Sequence, residues 1–287
     1  MRKVKEFFIE KLILICGLAS IFFVILIFLF LAREGLAVFK FVNPSNFLFG
    51  KNWYPISEPA QLGILPLIFG SLLVTLGAAI ISIPIGVACA VYIAEIAPLK
   101  IKEILKAGIE LLAAIPSVVL GFIGMVTLVP WVKTVFHLPT GLTALSGAII
   151  LAFMAMPTIV SIAEDALYSV PKSYKEGAFA LGATHWQTIY RVLLPAASSG
   201  IVAAVMLGIG RVIGETMAVM MITGNAAVIP QSILVPVRTL TATIAAEMGE
   251  AVVGSEHYFA LFAIGIVLFI ISFIINVTAD LFLHKRH

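Results

Sequence analysis

The sequence predicts an all-α membrane protein with six transmembrane helices and both termini on one side. Three observations predict it. Of 287 residues, 61% are hydrophobic and 11% charged, with a mean hydropathy of +1.14; a soluble domain is about half apolar and about a quarter charged. Uncharged apolar runs recur at close to the roughly 20 residues that a bilayer-crossing helix needs. Lys and Arg gather on one set of connecting segments. This composition excludes a soluble enzyme, a secreted disulfide scaffold and a disordered chain. A net charge of +3 is too small to call for nucleic acid.

The first uncharged run, 12–32, follows Arg2, Lys3 and Lys5. It imitates a secretory signal, but its apolar part outlasts an h-region and no small-x-small cleavage site follows, so a retained helix is expected. A turn-rich stretch holding Pro44, Gly50, Pro55 and Pro59 then reads as an external loop over 33–66. Further spans are expected at 62–94, 111–132, 141–163, 196–223 and 258–279. Residues 1–66 are grouped as a first helix with its external loop, and 67–283 as the main transmembrane domain. The segments that share a side with the N-terminus carry Arg2, Lys3, Lys5, Lys11, Lys100, Lys102, Lys106, Lys172, Lys175, Arg191, Lys285 and Arg286. The opposite side carries Arg33, Lys40, Lys51, Lys133 and Arg238. The positive-inside bias therefore puts both termini in the cytoplasm.

Pro84, Pro116 and Pro157 fall inside spans. Each removes a backbone donor that lipid cannot replace, which favours helices lining a cavity or packed on neighbours. Cys16 and Cys89 lie in apolar runs with no CxxC or Cys/His cluster nearby, so they read as small packing residues.

The expected fifth span contains Gly208-Ile209-Gly210-Arg211-Val212-Ile213-Gly214-Glu215-Thr216. An Arg at a helix centre costs about 3 kcal/mol on insertion scales. In a continuous helix, Glu215 would lie on the same face as Arg211 and pair with it. Such a pair either fixes helix register or lines a polar pathway, where a guanidinium suits phosphate or carboxylate oxygens. Gly210 and Gly214 form a GxxxG step that suits a partner helix and leaves room around both charges.

The segment 171–195 is amphipathic and interrupted at Gly182. The pattern predicts a short helix, a turn at Gly182 and a second helix leading to Pro195. It resembles the EAA loop of ABC importer permeases, through Glu176-Gly177-Ala178, Gly182 and Val192-Leu193-Leu194-Pro195. Gly177 and Val192 replace an Ala and an Ile of that motif. The run from Gly210 to Val219, with Thr223-Gly224-Asn225 and 241–251, is similar to phosphate permeases of the PstC type.

The resemblance implies a type I ABC importer permease fold in the cytoplasmic membrane of a prokaryote. It implies that Glu176, Gly177, Ala178, Gly182 and Pro195 couple to an ATPase, and that Arg211, Glu215 and Thr216 line a phosphate pathway. It also implies a second homologous permease, two P-loop ATPase subunits carrying ATP and Mg, an external phosphate-binding protein, and contact with membrane lipid. No cofactor is expected on this chain, which has no GxxxxGK[ST] loop and is not expected to be an enzyme. The rivals are an ABC permease for molybdate or sulfate, an ATPase-independent transporter or channel, and a structural or regulatory membrane subunit.

Overall fold

The computed structural model describes the backbone of residues 2–284 and the side chains of residues 9–278. The basic side chains of Arg2, Lys3, Lys5, Lys285 and Arg286 lie outside the described residues. Helix α1, Arg2–Gly35, passes into a 3-10 turn, Leu36–Lys40. A short α2, Pro44–Phe49, and a two-stranded hairpin, β1 Trp53–Tyr54 and β2 Gln61–Leu62, lead to α3, Leu65–Val91, which ends in a π-helical turn, Tyr92–Ile96. Then come α4, Leu99–Ala114; α5, Ser117–Ile123; a π-helical turn, Gly124–Leu128; α6, Val129–Val135; and α7, Ala144–Tyr168. The connecting segment holds α8, Lys172–Ala180, α9, His185–Thr188, a π-helical turn, Ile189–Leu193, and α10, Leu194–Ala196. The chain closes with α11, Ser198–Gly214; α12, Met217–Ile222; α13, Leu240–Glu247; and α14, Glu256–His284.

Among the described residues, five helices are long and apolar enough to cross a membrane, or six if α11 is joined to the segment before it across a 70° bend. Helix α7 is central and packs along α3 and α11. Small residues allow the close approach: Gly86 of α3 and Gly208 of α11 both face Ile159 of α7. Helix α1 instead packs on α14, with Phe28 on Phe269 and Phe30 on Phe262, and keeps most of its apolar surface exposed.

Three sequence expectations change. The third span begins at Ser117, not at 111, because Ile115 and Pro116 are extended and separate it from α4. Helix α4 is a separate amphipathic helix. The fifth span is not one helix over 196–223, because α11 stops at Gly214 and Glu215 turns extended (φ −69°, ψ 131°). The stretch 226–257 between the expected fifth and sixth spans, an external loop by the alternation of the spans, is not a plain loop. It enters the bundle, where the carbonyls of Val235 and Ile233 accept the first N–H groups of α7, from Ala144 and Leu145, at 3.0 and 2.8 Å. These are donors that a helix start leaves without internal partners.

Candidate functional site

Helix α11 carries Arg211 on an open face. A side chain built at Gly210 or Gly214 would meet nothing within 4 Å, so this face has room for a partner or a pathway. The Arg211 side chain is exposed, and its Nη1 lies a long 3.5 Å from Thr158 Oγ1 of α7. It makes no ion pair with Glu215, because the helix that would bring them onto one face ends between them.

The break is held by its own polar groups. Glu215 Oε1 accepts the Ala218 N–H at 3.3 Å at the start of α12. Thr216 Oγ1 donates to the Gly214 carbonyl at 3.1 Å, and Thr241 Oγ1 donates to the Glu215 carbonyl at 2.9 Å. An interrupted helix at membrane depth is stable where such partners replace the lost ladder. Arg211, Glu215 and Thr216 therefore sit at one broken span, with the guanidinium before the break and the carboxylate bonded across it.

The second candidate region is the loop between α7 and α11. Helix α8 carries Glu176, Gly177 and Ala178; the turn follows at Gly182 with φ +79°, a conformation that glycine adopts without strain. Thr184 caps α9 by accepting the Gln187 N–H, while Gln187 Oε1 accepts the Thr184 N–H at 2.8 Å. This Thr-x-x-Gln capping box was available in the sequence. Glu176, Gly177 and Pro195 are exposed, whereas Ala178 is buried. Tyr174, Leu181, Trp186 and Tyr190 are also exposed, Leu181 by 90%. The loop thus exposes an acidic residue together with large apolar groups.

Sequence reasoning did not single out three further polar groupings. Glu164, 2% exposed near the end of α7, pairs with Lys102 at 3.0 Å and Lys106 at 2.8 Å, both on α4. The hydrogen bond to Glu164 is the largest effect on Lys106 and holds its ammonium above the ordinary value of 10.5. Glu95, in the turn after α3, pairs with Lys175 of α8. Glu247, at the end of α13, gathers Trp53 Nε1, Arg238 Nη1 and His257 Nε2 from three separate segments, on the wall of a cavity of about 920 Å³. The available signals were the i, i+4 lysines of α4 and a carboxylate just past the end of an apolar run.

A family model described as "Binding-protein-dependent transport system inner membrane component" matches residues 82–286. The chain belongs to this family. Among relatives of this permease, the "Probable ABC transporter permease protein YqgH" of Bacillus subtilis (strain 168) is 44% identical over 261 residues, covering 90% of this chain and 84% of its own. The "Phosphate transport system permease protein PstC" of Mesorhizobium japonicum is 36% identical over 261 residues, covering 84% and 78%. Among solved structures, an inward-facing MetNI methionine ABC transporter matches at TM-score 0.62 and 22% identity, covering 80% of the permease and 99% of that chain. A bacterial alginate ABC transporter, in complex with an alginate-bound periplasmic protein, matches at TM-score 0.64 and 16% identity, covering 94% and 93%. The permease therefore has the type I ABC importer permease fold expected from its EAA-like loop, and its relatives bear out the resemblance to PstC-type permeases.

Proposed function

We propose that this chain is the permease subunit of an ATP-driven importer of inorganic phosphate in the cytoplasmic membrane of a prokaryote, with both termini in the cytoplasm. It shares its pathway with a second homologous permease. Two P-loop ATPases hold the ATP and Mg, and an external phosphate-binding protein delivers the anion. Glu176, Gly177, Ala178, Gly182 and Pro195 form the ATPase-coupling loop, and lipid covers α1.

The observation that carries the substrate is Arg211. It is exposed beside a broken span, without a carboxylate partner among the described residues, on the face of α11 left open by Gly210 and Gly214. A permanent charge with a fork of donors suits a tetrahedral oxyanion. Without its own counter-ion, it offers that charge to a passing anion. A transport contact must also be weak enough to release, and one guanidinium meets that requirement better than a closed cage. Glu215 and Thr216 hold the break open beside it. Movement of the coupling loop on ATP binding would tilt α11 against the second permease and change which side reaches Arg211.

The test is phosphate uptake by the Arg211→Gln variant, normalised to assembled complex. The expected result is a fall of roughly a hundredfold, about 2.7 kcal/mol, with assembly unchanged. Loss of assembly with normal transport per remaining complex would make Arg211 a packing residue instead.

A further inference from the structure

We propose that Glu95 is the positioning residue through which the coupling loop moves the second span. This rests on the assignment of 171–195 as the ATPase-coupling loop. Helix α8 lies against α9 and the turn after it. A cavity of about 350 Å³ lies between α8 and the ends of α3 and α7, with Glu95, Leu167, Tyr168, Lys175 and Phe179 in its lining. One ion pair spans this gap, from Lys175 Nζ to Glu95 Oε2. His185 Nε2 of α9 stands 3.9 Å from the same oxygen, and its ring stacks on Phe179 of α8 at 6.3 Å. Both arms of the loop thus converge on one carboxylate, which is 11% exposed.

Beside this ion pair, α8 offers the small buried Ala178 and the ring of Phe179, apolar groups whose burial is non-directional. The ion pair is directional. Removing Lys175 leaves the Glu95 carboxylate, 11% exposed, without its lysine partner. Glu95 lies in the turn Tyr92–Ile96, continuous with α3. Helix α3 in turn meets α7 at Gly86 and Ile159, and Ile159 meets α11 at Gly208, one turn before Arg211. A displacement of α8 therefore reaches the helix of Arg211 through an unbroken chain of contacts.

The test uses the complex purified with its partner subunits and reconstituted into vesicles. Radiolabelled inorganic phosphate uptake and ATP hydrolysis are measured on the same preparation, for Glu95→Gln, Lys175→Gln and the exchanged pair Glu95→Lys with Lys175→Glu. Each single variant is expected to retain a bound, hydrolysing ATPase and to move roughly tenfold less phosphate per ATP, the size of one allosteric coupling contact. The exchanged pair is expected to regain most of that ratio. Wild-type coupling in Lys175→Gln, or an assembled exchanged pair no better than the single variants, overturns the proposal. Lys175 is partly exposed, so its variant is decisive even if the Glu95 variants fail to assemble. A wild-type chain that co-purifies with no ATPase would refute the coupling loop itself, and the role of Glu95 with it.

Discussion

A guanidinium in an apolar helix carries a cost of a few kcal/mol unless something offsets it. At Arg211 the structure offers a long contact to Thr158 and an open face, not Glu215. The two charges were visible in the sequence; their separation was not, because the pairing argument assumed that the helix continued. Gly214 and Thr216 carried a signal against that, since a glycine and a threonine two residues apart both weaken a helix. A neighbouring residue tests how firmly the entering segment 224–247 is seated. A Cβ on Gly70 of α3 would lie 2.3 Å from the Arg238 carbonyl oxygen. Gly70→Ala is therefore expected to destabilise the protein by about 1–3 kcal/mol, the usual range for overpacking. The thermal unfolding midpoint in detergent reads this; an unchanged midpoint would mean that the segment moves aside freely.

At the scale of elements, the long apolar runs were legible because each is long enough to declare itself. The helix, turn and second helix of 171–195 were legible because Gly182 and Pro195 punctuate an amphipathic pattern. The segment 224–239 was not, because an irregular backbone with Gly224 and Asn225 at positive φ has no period to read. Helix α4 was absorbed partly into a span, and its attachment to α7 depends on a contact distant in sequence. That attachment makes a pH prediction. Lys106 is held above 10.5 in the folded protein, so its contribution is fully present below that value and is lost as pH rises through the higher folded value. The stability advantage of wild type over Lys106→Met, followed by thermal midpoint, is expected to shrink on alkaline titration. An advantage independent of pH would contradict the clamp.

For the whole molecule, the fold brings two candidate regions to one helical stack. The loop of α8 and α9 meets α3 through Glu95, and α3 meets α11, which ends at the break beside Arg211. The open face of α11 and the exposed apolar residues of α5 are the surfaces that the proposed second permease would cover. Single-chain sequence reasoning could name Arg211, Glu215 and Thr216 as candidates, but not the break that separates the two charges. The most direct measurement is uptake of radiolabelled inorganic phosphate by the complex purified from native membrane and reconstituted with its external binding protein, with and without ATP, and with excess sulfate or molybdate. Uptake that requires ATP and persists in the presence of both competitors is the predicted result. Uptake without ATP would contradict the importer, and phosphate displaced by sulfate or molybdate would contradict its substrate.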